Sequence, residues 1–300
     1  MSNLKSEQNS KEKNRAWLLP DPKSLTLEAG LYLVATPIGN MGDISLRALD
    51  ALAAADAVLC EDTRVTGKLL NYFGLHKKLD VYNDHSADGV RTKMIKRIEG
   101  GEALVLVSDA GMPLVSDPGY KLVVDAKAAG VNVTSIPGAN APLTALQLSG
   151  MPSDAFSFIG FLPAKSGARQ GVLKKWEDVP STLLAFETAP RLQAALADIQ
   201  AALGDREVAV VREITKLYEE VVRDSVSNLI KHYEDKGAPK GEIVLVIAPP
   251  AEKHFSDDDI DAMLRDALEE MGTKKAAAAV AEKTGLSKSE LYERALVLKG

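Results

Sequence analysis

Ala103-Leu104-Val105-Leu106-Val107-Ser108 is a near-continuous apolar run, and Asp109-Ala110-Gly111-Met112-Pro113 follows it directly. Such a run reads as a strand buried on both faces, as in a parallel sheet covered by helices. The small-residue loop then falls at the carboxyl end of the strand, where open α/β sheets bind ligands. Glycine and alanine there let main-chain groups approach a ligand closely. The loop runs on through Leu114 and Val115 to Ser116-Asp117-Pro118-Gly119. Two other stretches repeat the pattern. Thr36-Pro37-Ile38-Gly39-Asn40-Met41-Gly42-Asp43 follows the apolar run that begins at Leu31, and Ile136-Pro137-Gly138-Ala139-Asn140-Ala141-Pro142 closes the run that begins at Val131. Three such loops in one half of a chain point to a cofactor cleft.

Around these loops strand and helix alternate. Strands are expected over 31–36, 57–61, 79–82, 103–108 and 131–136, and helices over 45–55, 65–72, 86–99, 121–129 and 141–148. That alternation is the pattern of a parallel, doubly wound sheet. Gly150 to Asp154 reads as a linker. Strands over 155–162, 181–187, 207–212, 217–224 and 242–248, with helices over 167–176 and 191–203, then predict a smaller mixed-sheet α/β domain. From Asp257 the chain is helical. Residues 274–283, a turn at Gly285 and a helix from Ser287, capped by Ser287 with Glu290, resemble a helix-turn-helix. The expected organisation is a disordered tail over 1–29, an N-terminal α/β domain over 30–150, a second α/β domain over 151–250 and a small helical module over 251–300.

Hydrophobic residues make up 46% and charged residues 26% of the chain, which is ordinary globular usage. The lone cysteine, Cys60, excludes an internal disulfide framework and a cysteine-rich zinc site. No apolar run reaches the roughly 18 residues of a membrane span. Residues 1–15 lack the apolar segment of a secretory signal, so a cytoplasmic enzyme with no membrane partner is expected. The formal net charge of -6 argues against bulk attraction to nucleic acid. Locally the balance reverses. Arg64, Lys68, Lys77, Lys78, Arg91, Lys93, Lys96 and Arg97 face only Asp80, Asp84 and Asp88, and Lys165, Arg169, Lys174 and Lys175 form a second basic cluster. Each cluster is either a solvated helix face or an RNA-binding patch. The last fifty residues carry eight cations against eleven carboxylates, which suits a packing or RNA-touching module better than a DNA reader.

The motifs taken together resemble the tetrapyrrole methylase superfamily, and within it the branch that methylates ribosomal RNA. The resemblance rests on residues 36–45, Glu61-Asp62-Thr63-Arg64, Ser108-Asp109-Ala110-Gly111, Ser116-Asp117-Pro118-Gly119 and Pro137-Gly138-Ala139-Asn140-Ala141. It extends to Phe158-Ile159-Gly160-Phe161-Leu162-Pro163, Phe186-Glu187-Thr188-Ala189-Pro190-Arg191, Arg212-Glu213-Ile214-Thr215-Lys216 and Gly241-Glu242-Ile243-Val244-Leu245. It implies S-adenosyl-L-methionine bound between two domains, a homodimer, and methyl transfer to a cytidine ribose 2'-oxygen in the decoding region of 16S rRNA, with rRNA or the 30S subunit as partner. One departure stands out. Methylases of small macrocycles carry a Gly-x-Gly-x-Gly-Asp loop after the first strand, whereas this chain has the longer Pro37-Ile38-Gly39-Asn40-Met41-Gly42-Asp43. The change argues for a different acceptor.

On that resemblance the cofactor is expected at Pro37 and Gly39, at Asp109, Ala110, Gly111, Met112 and Pro113, at Ser116 and Asp117, and at Pro137, Gly138, Ala139 and Asn140. Phe161, Leu162, Ile214 and Ala248 are the expected slot for adenine; the bland alternative for any small residue here is a plain turn. A sulfonium methyl group is electrophilic already, so no metal is expected, and the task is to hold an oxygen in line at roughly 3 to 3.5 Å. Its proton needs a carboxylate or imidazole. Glu61, Arg64 and His85 are the candidate catalytic residues, with Arg64 on a phosphate, although Glu61, Asp62 and Arg64 could equally form an ion-pair network capping a helix. Glu187, Arg191 and Lys216 face the cleft on the family pattern or form an interdomain or subunit-interface salt bridge. Two other functions compete: methylation of a tetrapyrrole or other small molecule, and a non-catalytic RNA- or nucleotide-binding protein whose cleft would be filled.

Overall fold

The computed structural model of the chain describes residues 26–83, 88–251 and 255–299. The apolar runs become strands β1 (Gly30–Val34), β2 (Ala57–Cys60), β3 (Leu79–Val81), β4 (Ala103–Val107) and β5 (Val133–Ile136), in one parallel sheet of order β3-β2-β4-β1-β5. Every residue of β2 and β4 is buried, as their unbroken apolar sequence requires. Helices α1 (Leu46–Ala54) and α2 (Thr63–Tyr72) cover one face of this sheet. Helices α3 (Asp88–Glu99) and α4 (Tyr120–Ala128) cover the other. Caps set the helix starts. Ser45 Oγ accepts from Ala48 N at 3.1 Å, and Asp62 Oδ1 accepts from Arg64 N at 2.8 Å, so α2 starts two residues before the expected Val65. Leu27 packs against the core beneath β1, and Glu28 O accepts from the Tyr32 hydroxyl at 2.9 Å, so the last residues of the expected tail are held.

Helix α5 (Ala141–Ser149) joins the two halves. Asn140 caps it, Pro142 sits in its first turn, and Gly150 ends it with φ of 64°. It packs Ala145 and Leu146 against a second sheet made of β6 (Phe156–Phe161), β7 (Thr182–Thr188), β8 (Glu207–Arg212), β9 (Glu220–Ser225) and β10 (Glu242–Ile247). The order is β6-β7-β10-β8-β9; β6 and β7 are parallel and the other pairs antiparallel. The sheet is thus mixed, as expected. Helices α6 (Ser166–Lys174), α7 (Leu192–Leu203) and α8 (Val226–Lys236) cover its other face. The reading of the chain missed α8, although Ser225 at its N-cap and Val226, Leu229 and Tyr233 on one buried face carry the signal. Residues to Pro249 cluster as one compact unit.

Residues 250–300 form a second compact unit. Helices α9 (Asp257–Glu270), α10 (Thr273–Thr284) and α11 (Lys288–Lys299) pack around Ile260, Leu264, Val280 and Leu291. Gly285 ends α10 in the left-handed region at φ 72°, as the expected turn requires. A capping box of Ser256 with Asp259 starts α9. Among the described residues no helix is long and apolar enough to cross a membrane.

Candidate active site

In the first sheet Val34, Val107 and Ile136 end neighbouring strands in register, so the loops after β1, β4 and β5 emerge side by side. Thr36 and Gly111 then pair as a single antiparallel bridge, with N to O distances of 2.9 and 3.1 Å. The Thr36 hydroxyl donates to Ser108 O at 3.2 Å, and the Ser108 hydroxyl reaches Gly111 O at 3.0 Å. Asn140 caps α5 through Oδ1 and reaches Met112 Sδ through Nδ2 at 3.5 Å. The three loops are one hydrogen-bonded platform. Leu114 and Ser116 adopt φ of 70° and 67°, a region unfavourable for residues with a Cβ and found where a backbone is shaped for a site.

The second sheet brings one edge to this platform. Because β7 and β10 run antiparallel, Thr188 at the end of β7 lies beside Glu242 at the start of β10, and Ile243 pairs with Arg212 at the end of β8. In β6 the register slips by one residue between Phe158 and Phe161, at Gly160 with φ of 71°. This bulge turns Phe158 and Phe161 to the same side, each with its ring centroid 5.0 Å from that of Phe186. Phe161 stays 58% exposed at the head of that aromatic row. A Cβ on Gly160 would stand 3.6 Å from Ser116 Oγ, which marks how closely the edge meets the platform.

Two adjoining clefts result. The larger, about 620 Å³, runs between Ile38, Ala110, Val115, Ser116 and Asp117 of the platform and Phe161, Glu187, Ile214 and residues 239–244 of the second sheet. The smaller, about 270 Å³, lies between Thr36, Pro37, Gly39, Asp109 and Ala110, Val65, Thr66 and Leu69 of α2, and Lys216. Ile38, Ala110 and Glu242 wall both. Carboxylates punctuate the apolar walls. Asp117 is pushed up to about 6 by burial and by the charge of Asp109, against a hydrogen bond from Ser108. Glu187 is fully buried and lies 3.1 Å from Arg191 Nε. Lys216 Nζ lies 2.9 Å from Glu213 and 2.8 Å from Glu242. Burial would depress that ammonium, but the two carboxylates outweigh it and the net shift is upward. The Thr215 hydroxyl meets Asp43 of the first loop, and Lys216 lies so close to Gly39 that a Cβ there would stand 2.6 Å from its Cγ. Glu213 and Thr215 take φ of 50° and 64° in this strap, so β9 starts at Glu220 rather than the expected Leu217.

Of the expected site residues, Ala110, Ser116, Asp117, Phe161 and Ile214 line the larger cleft, and Pro37, Gly39 and Asp109 the smaller. Gly111, Met112 and Asn140 tie the platform together, and Gly138 sits where a Cβ would come within 2.9 Å of Ala35 Cβ. Pro113 is buried, while Pro137 and Ala139 flank Gly138 on the third loop. Two expectations need correction. Leu162 turns its side chain into the helix-covered core, on the face opposite the aromatic row. Ala248 follows the carboxyl end of β10, whereas Glu242 to Val244 at its start line the cleft; the ligand-side rule for parallel strands reverses on an antiparallel one.

Arg64 is 85% exposed and held by Asp62 at 2.6 Å, the helix-capping alternative, and this pairing pulls Asp62 down to about 2. Neither Glu61 nor Arg64 lines either of these two clefts, and His85 lies outside the described residues. Three arginines of the basic clusters serve the fold instead. Arg169 is buried against Asp198 at 2.5 Å, Arg91 pairs with Asp125 at 2.7 Å, and Arg97 bridges Asp80 and Glu102, each at 2.6 Å. Lys93, Lys96, Lys165, Lys174 and Lys175 remain exposed.

Comparison with known proteins agrees with this architecture. Residues 30–230 match the family model of tetrapyrrole (corrin/porphyrin) methylases, and residues 255–299 match the RsmI C-terminal HTH domain. The chain is 52% identical over 279 residues to a ribosomal RNA small subunit methyltransferase I of Erythrobacter litoralis, covering 93% of this chain and 99% of that one. It is 48% identical over 274 residues to the protein of the same name from Mesorhizobium japonicum, covering 91% and 93%. Among solved structures, a diphthine synthase superposes with a TM-score of 0.56 at 20% identity, covering 73% of this chain and 89% of that one. The methyltransferase CobJ does so at 0.54 and 16%, covering 76% and 97%.

Proposed function

The chain belongs to the tetrapyrrole methylase family, among its ribosomal RNA small subunit methyltransferases I, and from that premise we propose that it transfers a methyl group from S-adenosyl-L-methionine to the 2'-oxygen of a cytidine in 16S rRNA. The observation that carries this reading is the larger cleft, because its walls suit the donor part by part. Phe161 and Ile214 offer apolar surface to a flat base. The main chain around Ala110 and the turn at Ser116 offers hydrogen-bonding groups at close approach. Asp117 puts negative charge on the cleft wall for a sulfonium or ammonium group. The bound donor supplies a methyl carbon already reactive enough to need no metal.

The chain's own residues then have two tasks. The smaller cleft, which shares a wall with the larger, holds the acceptor ribose beside the donor, and Lys216 keeps the first loop and the strap in place around it. Exposed lysines outside the clefts hold phosphates, and the target nucleotide leaves its stack to enter. The enzyme works as a homodimer in the cytoplasm. The test is incubation with methyl-labelled donor and 30S subunits, and separately with a tetrapyrrole. Label in a 2'-O-methylcytidine of 16S rRNA is expected; label in the tetrapyrrole alone overturns the reading. A cleft of this size also disfavours the non-catalytic alternative, which required a filled one.

A further inference from the structure

One wall residue common to both clefts carries a carboxylate: Glu242, at the start of β10. Among the described residues, the other carboxylates belong to one cleft each. Asp117 and Glu187 line the larger, and Asp109 lines the smaller. Glu187 is fully buried and already holds Arg191. Methyl transfer joins an atom in the acceptor cleft to one in the donor cleft, so the group that takes the acceptor proton has to reach their junction. Glu242 stands there. Its neighbours fix it. The Glu242 main-chain N–H donates to Glu213 Oε1 at 3.0 Å, and Lys216 Nζ donates to the same oxygen at 2.9 Å. Lys216 also donates to Glu242 Oε2 at 2.8 Å. Gly241, with φ of 101°, leaves no room for a Cβ against Glu213. Glu242 Oε1 accepts no hydrogen bond from a described residue. One carboxylate oxygen is thus steered and the other is open. The side chain is 80% exposed, so the open oxygen can meet a substrate and exchange a proton with water. Lys216 cannot take the proton instead. Burial works against its charge, but Glu242 and Glu213 outweigh burial and keep the ammonium charged.

We propose that Glu242 is the proton acceptor of the methyl transfer, oriented by Lys216, an assignment that rests on the function proposed above. The acceptor hydroxyl oxygen bonds to the methyl carbon as the carbon–sulfur bond breaks with its electron pair left on sulfur. The O–H proton passes to Glu242 Oε1, giving a neutral ether, a neutral thioether and a neutral acid. Lys216 keeps Glu213 as its counter-charge while Glu242 is neutral, so the step strands no cation. Glu242 then returns the proton to water.

The test uses the full chain with 30S subunits in single turnover at saturating donor, so that the rate reports the chemical step. Glu242→Gln should lower that rate by at least about 100-fold, and Glu242→Asp by less. In Glu242→Ala, added formate should restore part of the rate as its concentration rises, since it supplies the missing carboxylate. The melting midpoint of Glu242→Gln should move by less than about 4 °C, because an exposed ion pair contributes little stability. By calorimetry, Glu242→Gln should lose much less affinity for S-adenosylhomocysteine than it loses rate. A Glu242→Gln rate near that of the wild type would overturn the assignment. So would an affinity loss as large as the rate loss, which would make Glu242 a donor-binding residue, or a large melting loss, which would make it a structural one. A Glu242→Asp enzyme as slow as Glu242→Gln, with no gain from formate in Glu242→Ala, would also overturn it. Failure of the underlying function shows differently, as a wild-type enzyme that methylates no 30S subunit, and it would remove this assignment too.

Discussion

Phe161 is the residue whose place owes most to a neighbour. It is 58% exposed at the cleft, tilted 49° against Phe186, and its outer face is free for an aromatic base. Phe161→Ala should cost about 1 kcal/mol of donor binding, roughly a fivefold weaker Kd by calorimetry, with the thermal midpoint nearly unchanged because little buried surface is lost. A melting loss without a binding loss would place Phe161 in the fold instead. Arg64 stands at the opposite pole. Its sequence position suggested a phosphate ligand, but its guanidinium is spent on Asp62. Short-range geometry decides this, since an aspartate at the N-cap and an arginine two residues on meet on the same side of the first turn. Residue types singled out Asp109 and Asp117 as site candidates. They did not say which carboxylates would already hold a cation, because Lys216 meets Glu242 only after the chain folds.

At the level of elements, the bulge in β6 and the tie between α6 and α7 can be tested apart. At Gly160 a Cβ meets only ordinary contact at 3.6 Å, so the cost of Gly160→Ala is the left-handed backbone alone, about 1 kcal/mol in urea unfolding. The same variant should weaken donor binding if it undoes the bulge that turns Phe161 toward Phe186. Arg169 on α6 and Asp198 on α7 are 3% and 9% exposed, and Ser166 and Gln170 complete the bonds to Asp198 at 2.7 and 2.6 Å. Asp198→Ala leaves a buried guanidinium unpaired and should cost about 3 to 5 kcal/mol, read by denaturant unfolding. A loss below about 1 kcal/mol would mean that Arg169 escapes to solvent. Most strands and helices were legible because their signals are local: apolar runs, Ser45 and Asn140 at helix starts, and Gly285 at a helix end. The bulge was not, since one glycine in an apolar strand reads the same whether or not the register slips.

For the molecule as a whole, the question is how a chain of net charge -6 holds a polyanion. On α3, Lys93 and Lys96 are exposed beside an open groove of about 510 Å³. Lys93→Glu with Lys96→Glu should weaken RNA binding in filter titrations and reduce the salt slope by about 2, with donor affinity unchanged. Arg91→Ala should instead lower stability through its lost tie to Asp125 and leave the salt slope alone. Unchanged RNA affinity in the double variant would move the interface to Lys165, Lys174 and Lys175. The order of apolar runs and small-residue loops, which depends on contacts a few residues apart, by itself determined the parallel first sheet, the mixed second sheet and the loops that meet at the cleft. Only the tertiary structure decided which end of β10 faces that cleft, that Leu162 turns away from it, and which charges are free. Strand direction and the ties of Arg91 to Asp125, Arg169 to Asp198 and Lys216 to Glu242 join residues far apart in the chain, and no local pattern encodes them.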